Sequence, residues 1–313
     1  MLNEELKEQK KSIEAFLKQQ KEHHELMENQ NEKLRKVLKD NEIFITAKFY
    51  PYLMASKIGQ HNLFYHSFDE IMREGMPIKI IDNLSCVKKV GVLGEITGGV
   101  EYVPKNYDEL FVMKYAFDEN VKDMSERFCC CDSMLECDLC NFNCENVINM
   151  KGMFRNCKNL EVLNLSYINT HNVTNMSEMF FDCGGAEIRD DLPYNINDSE
   201  EFCFCEGTEI IFTDFNTQNV QDMSCMFYEA TINKSILNFI NTFNTESVTN
   251  ISHMFECAVF LEDKISLFNF NTKNVVDMSC MFSTPGMNQP KDINISNFNT
   301  ENVTDMEAMF CGC

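Results

Sequence analysis

Apolar and polar positions recur along the last two thirds of the chain in one phrase. It reads FNTQNVQDMSCMF at 215–227, FNTKNVVDMSCMF at 270–282 and FNTENVTDMEAMF at 298–310. FNCENVINMKGMF (142–154), INTHNVTNMSEMF (168–180) and FNTESVTNISHMF (243–255) are variants, and NVKDMSERF (120–128) opens the series. The anchoring valines, Val121, Val147, Val173, Val220, Val248, Val275 and Val303, are spaced by 26, 26, 47, 28, 27 and 28 residues. The long interval is close to two short ones. It predicts either a degraded unit, with FCFCE around Phe204 in the slot of MFFDC, or an insertion.

In every copy the residue two after the valine is Asn or Asp, a preferred helix N-cap because its side-chain oxygen takes an orphaned N–H of the first turn. Asn149, Asn175, Asp222, Asn250, Asp277 and Asp305 are the predicted caps, with Asp123 in the opening copy. Met-Ser-x-Met-Phe follows, with apolar residues at i, i+3 and i+4, which predicts a short helix with one apolar face. The predicted core is therefore Val147, Met150, Met153, Phe154, Val173, Met176, Met179, Phe180, Val220, Met223, Met226, Phe227, Val275, Met278, Met281, Phe282, Val303, Met306, Met309 and Phe310. The other half of the unit is clearest in NLEVLNLSYINT (159–170), where Leu160, Leu163 and Leu165 have the L-x-x-L-x-L spacing of a leucine-rich-repeat strand. One short strand and one short helix per 26–28 residues cannot bury their own apolar face, so neighbouring units must stack. The expected fold over 116–313 is an α/β repeat, a leucine-rich-repeat-like solenoid with a continuous parallel sheet along one side.

Upstream the pattern differs. Residues 1–42 lack Gly and Pro and are rich in Glu, Lys, Gln and Leu, which predicts one long helix. A heptad places Leu2, Phe16 and Val37 at one seam position and Leu6, Ile13, Met27 and Leu34 at the other, interrupted by polar residues: a weak coiled coil through which the chain would self-associate. Residues 43–115 carry short apolar runs broken by Gly and Pro, read as short strands and turns. They form either a cap over the first repeat or degenerate repeats themselves.

The repeat phrase resembles that of the BspA-like leucine-rich repeat surface proteins, whose unit reads approximately LxxLDLSxFDTSNVTNMSxMFxxC. The resemblance covers about residues 116–313. It implies adhesion or host interaction, and display at the cell surface.

Charge narrows the partners. Lys and Arg total 27 against 49 Asp and Glu, a net charge of −22, of which residues 1–42 contribute −1. Such a chain repels phosphate backbones and anionic headgroups, whose partners supply Lys and Arg, so no nucleic acid is expected. No run of about 18 apolar residues predicts membrane insertion. The charged opening MLNEELKEQKK shows no apolar leader core, and by itself it predicts a cytoplasmic protein.

The chain has 16 cysteines, six of them between Cys129 and Cys144. Cys137 and Cys140 form a C-x-x-C pair and are the zinc candidates. Repeat alignment argues the other way: Cys131 occupies the slot of Cys157, Cys137 that of Leu163, Cys140 that of Ser166, and Cys144 that of Thr170. The residue three after each repeat phenylalanine is Cys131, Cys157, Cys183, Ala230, Ala258, Pro285 or Cys313, which reads as a small apolar slot. No nucleophile with a base, phosphate loop or cofactor motif has credible spacing. The function expected is thus non-enzymatic: a scaffold that binds a protein partner. The alternatives are a cysteine-rich metal-binding or redox module, and a structural component that assembles end to end through Met306, Met309 and Phe310 of the last repeat.

Overall fold

In a computed structural model the described residues are 44–49, 78–79, 81, 87–92, 95–97, 101–102, 111–117, 120–184, 207–213, 215–284 and 290–313. The chain separates into two units, Met1–Ile43 and Phe44–Cys313. The expected N-terminal helix and its heptad seam lie outside the described residues.

The Asn and Asp that follow the valines define the stack. Asp123, Asn149, Asn175, Asp222, Asn250, Asp277 and Asp305 are joined in that order by parallel bridges, one copy of the phrase above the next. Asn175 meets Asp222 directly, so the long interval between Val173 and Val220 is an insertion within one layer.

The Met-Ser-x-Met-Phe segments are not helices, which corrects the expected fold. In the second layer Met153 N–H donates to the Met150 carbonyl, closing a turn whose third residue, Gly152, has φ +58°. Positive φ at the third residue but not the second marks a type II turn, which favours glycine there. The equivalent residue is left-handed in every layer: Glu126, Glu178, Cys225, His253, Cys280 and Ala308 all have φ between 51° and 59°. An L-residue there costs about 1–2 kcal/mol, and the gain is interlayer bonding. The N–H groups of Met124, Glu126, Phe128 and Cys130 donate to the carbonyls of Asn149, Lys151, Met153 and Arg155 in the next layer at 2.8–2.9 Å. A helix would need those N–H groups for its own carbonyls.

The residues expected to cap helices cap none. Asn149, Asn175, Asp222, Asn250, Asp277 and Asp305 accept instead the N–H two residues on, at 2.8–3.0 Å. This is the Asx-turn, the same side-chain preference serving a different backbone.

The strand half is also shorter and more broken than a continuous parallel sheet. Strands β1 (Phe44–Phe49), β2 (Ile78–Lys79), β3 (Val87–Val92), β4 (Glu95–Thr97), β5 (Glu101–Tyr102) and β6 (Phe111–Phe117) precede the stack. Within it lie β7 (Met134–Asp138), β8 (Val162–Asn164), β9 (Glu209–Ile211), β10 (Thr231–Ile232), β11 (Val259–Phe260), β12 (Lys264–Ser266) and β13 (Asp292–Asn294). The main sheet has the order β4-β3-β6-β1-β7-β8-β9, while β10 and β11, β12 and β13, and β2 and β5 form separate pairs. Beyond β9 the row is taken by α1 (Lys234–Ile240), whose N-cap Asn233 accepts from Ile236 N–H. The Ser235 hydroxyl bonds both the N–H and the carbonyl of Ile210, replacing a strand partner.

Antiparallel β1 and β6 cover the first layer: Ala47 stands opposite Cys137 of β7, and Lys48 pairs with Glu136 at 2.6 Å. Ile45, Ala47 and Phe49 are buried and alternate with half-buried Thr46 and Lys48, the strand periodicity.

Inside the stack the phenylalanines form a column. Phe128, Phe154, Phe180, Phe227, Phe255, Phe282 and Phe310 stack successively with ring centroids 5.4–6.1 Å apart. Tyr115 of β6 meets Phe128 edge-on at 5.2 Å, a favoured aromatic arrangement. The first layer departs from the repeat by carrying Arg127 in a methionine slot. Its guanidinium, fully buried, donates to the Asp123 carbonyl at 2.7 Å and lies over the Phe117 ring.

Candidate functional site

Of the predicted core, Val147, Met150, Met153, Phe154, Val173, Met176, Met179, Phe180, Val220, Met223, Met226, Phe227, Val275, Met278, Met281 and Phe282 are all buried. In the last layer Met309 is buried and Val303 half-buried, whereas Met306 and Phe310 are 50% and 45% exposed.

The polar half of the phrase builds a second ladder. Thr217, Thr245 and Thr272 are buried, and each hydroxyl both donates to and accepts from the backbone of one residue in the next layer: Asn244, Asn271 and Asn299. Thr170 does the same with Asn216. The asparagine before the valine reaches the other way. Asn172, Asn219, Asn274 and Asn302 donate to the carbonyls of Glu145, His171, Glu246 and Lys273 in the preceding layer at 2.7–2.8 Å.

Two exposed columns flank this asparagine row. One holds Glu145, His171, Gln218, Glu246, Lys273 and Glu301; the other holds Lys122, Ile148, Thr174, Gln221, Thr249, Val276 and Thr304. Their backbone is fixed by the ladders and their side chains are free to differ from layer to layer. Ile148 and Val276 are 48% and 42% exposed, apolar groups on an otherwise polar face.

The cysteines divide by depth. Cys131, Cys137, Cys144, Cys157 and Cys183 are buried. Burial pushes the thiols of Cys137, Cys144 and Cys157 well up, and that of Cys183 up to about 12. Cys157 donates to the Phe128 carbonyl at 3.0 Å. Of the two zinc candidates, Cys137 lies inside β7 opposite Leu163 and Cys140 is half-buried in the turn beyond it. Among the described residues neither belongs to a group of three converging ligands.

Such a group does form elsewhere. His253, Glu256 and Cys280, all half-buried, place one ligand atom each within 4.8 Å of one another. His253 and Glu256 share a turn, closed by Glu256 N–H to the His253 carbonyl, and the imidazole Nδ1 contacts the Glu256 carboxylate. Cys280 comes from the next layer, held in register by His253 N–H to the Ser279 carbonyl at 2.8 Å. Sequence reasoning did not connect the three. The signal was present: Cys225, His253 and Cys280 occupy the left-handed slot of three successive copies.

These features define a repeat protein whose turn layers stack through backbone, threonine and asparagine ladders. The chain belongs to the family described as Mycoplasma protein of unknown function, DUF285, whose sequence model matches residues 112–192 and 197–313. This corrects the expectation of the BspA-like leucine-rich repeat family: the family model that matches is DUF285, and the adhesion and surface display carried by that resemblance lose their basis. No curated protein and no solved structure matches the chain. No helix among the described residues is long and apolar enough to cross a membrane.

Proposed function

We propose that the protein is a non-enzymatic scaffold that binds a protein partner across the two exposed columns beside the asparagine row. The observation that carries this reading is the contrast between slots. Valine, threonine and asparagine recur because each has a fixed structural duty, while the columns beside them change from Glu to His to Gln to Lys without altering the backbone. Repeat stacks supply extended surfaces of this kind, in which specificity is set by side chains that do not carry the fold. Ile148 and Val276 provide apolar contact area, and the surrounding polar groups provide a rim, the usual anatomy of a binding patch. The net charge of −22 favours a basic partner through long-range steering.

The test is capture of a protein from cell extract by the immobilised full chain, by the double variant Ile148→Asp with Val276→Asp, and by a chain lacking residues 1–42. A discrete protein held by the wild type and by the shortened chain, and lost from the double variant at unchanged melting temperature, supports the columns as the binding surface. Capture that survives the double variant, or that needs residues 1–42, overturns that assignment.

A further inference from the structure

We propose that His253, Glu256 and Cys280 form a binding site for a soft divalent cation, with Zn²⁺ the best fit. This goes beyond the protein-binding reading and does not depend on it. Three ligand types converge, an imidazole nitrogen, a carboxylate oxygen and a sulfur, with their atoms within 4.8 Å of one another. Nitrogen, sulfur and carboxylate together are the donor set of zinc, whereas Ca²⁺ and Mg²⁺ take oxygen alone. Three protein ligands leave a fourth tetrahedral position for water, and the thiolate and carboxylate balance the charge of the ion.

The backbone holds the members of this group in line. The left-handed slot favours glycine, which it holds as Gly152 in the second layer. In three successive layers it instead carries Cys225, His253 and Cys280, with φ of 54°, 57° and 54°. Ladder bonds from Cys225 N–H to the Ser252 carbonyl and from His253 N–H to the Ser279 carbonyl keep these positions aligned, so neighbouring side chains face each other across one layer spacing. Glu256 enters from the same turn as His253. Its side chain is 19% exposed against 40% for His253, so the carboxylate forms the floor and the imidazole side is the way in.

The acidic surroundings favour a cation. Partial burial raises the thiol of Cys280, and the carboxylates of Glu256, Glu307 and Asp305 raise it further. A positive ion reverses that field. Binding replaces the Sγ–H bond of Cys280 by a metal–sulfur bond, releases that proton to solvent, and requires His253 neutral. No electrons move. Binding should therefore tighten as pH rises, until hydroxide competes for the ion.

The experiment titrates the full chain, reduced and free of metal, with Co²⁺ and then Zn²⁺. The expected result is one equivalent of Co²⁺ giving the thiolate-to-cobalt absorption of a tetrahedral site, displaced by Zn²⁺, with Zn²⁺ raising the melting temperature. His253→Asn and Cys280→Gly accept the left-handed backbone, so they keep the turn while removing a ligand. Each should weaken binding by more than about tenfold and abolish the melting shift. Cys140→Ser, at the other zinc candidate, should change neither. Wild-type spectrum and stoichiometry in both ligand variants, or no Co²⁺ bound by the wild type, would overturn the site.

Discussion

The ring of Phe180 stacks on that of Phe227 at a centroid distance of 5.4 Å, 16° from parallel, although the longest interval of the repeat separates them. The aromatic column runs through the insertion as if it were absent. The residues that flank 185–206 are adjacent, since a Cβ added to Gly184 would lie 3.5 Å from the Gly207 carbonyl carbon. Excising 185–206 and joining the flanks with a short glycine link should shift stability by only about 1 kcal/mol, because loop length enters closure entropy logarithmically. Thermal melting of the shortened chain decides it; loss of a cooperative transition would mean that the segment carries a layer of its own.

Phe180 lies between Phe154 and Phe227 and is almost fully buried. Phe180→Ala should cost about 3–5 kcal/mol, the transfer of a large side chain plus the cavity it leaves. His171→Ala, in an exposed column, should stay within about 0.5 kcal/mol. Denaturant midpoints of the two variants, compared side by side, check the register of the whole stack.

The Thr245 hydroxyl donates to the Asn271 carbonyl at 3.1 Å and accepts its N–H at 2.7 Å. Thr245→Val keeps the shape and leaves both backbone groups without that partner. A loss of about 1–3 kcal/mol is expected, measured by chemical denaturation. A neutral result would show that water replaces the hydroxyl at no cost.

Burial raises the thiol of Cys183 from 9.0 to about 12. In the unfolded chain that thiol ionises near 9, so above this pH the unfolded state holds fewer protons than the folded one and stability falls as pH rises. The contribution is intact below about pH 9 and is lost between about 9 and 12, with a slope of at most about 1.4 kcal/mol per pH unit. Cys183→Ala, which places in this slot the residue found at Ala230 and Ala258, should flatten the alkaline slope of stability measured from about pH 8 to pH 11. An unchanged slope would assign the alkaline loss to other groups.

The sequence shows the buried slots more clearly than the backbone that holds them. Met150, Met153 and Phe154 have the spacing of one helix face, but the same spacing arises when consecutive tight turns each send a side chain inward, and periodicity alone does not separate the two. The deciding residue is the x of Met-Ser-x-Met-Phe, and only Gly152 declares a left-handed position by its type. Asn and Asp two residues after the valine pointed correctly to a side chain that satisfies a nearby N–H, and wrongly to a helix as its owner. Helix α1 was not foreseen; its local signal is Asn233, whose side-chain oxygen caps KSILNFI. The metal-ligand group was harder to see. Glu256 directly follows one copy of the phrase and Cys280 lies in the next, and what brings them together is interlayer register, a long-range quantity that no local window contains.

The direction of the ladder bonds has an electrical consequence. From Met124, Glu126, Phe128 and Cys130 in the first layer to Met278, Cys280, Phe282 and Thr284 in the sixth, the turn N–H groups point at carbonyls of the following layer. Bonds outside the turns run the other way, such as those from the Ile148 and Asn149 N–H groups back to the Lys122 carbonyl. The peptide dipoles of the turns therefore add, as they do along a helix, and the stack acquires a macrodipole with its negative pole at the first layer. A guanidinium, Arg127, donates to the Asp123 carbonyl at that pole, and Asp305 and Glu307 stand at the other. Two such arrays brought together by like ends would meet with opposed fields, whereas an anionic group is favoured at one end and a cationic group at the other.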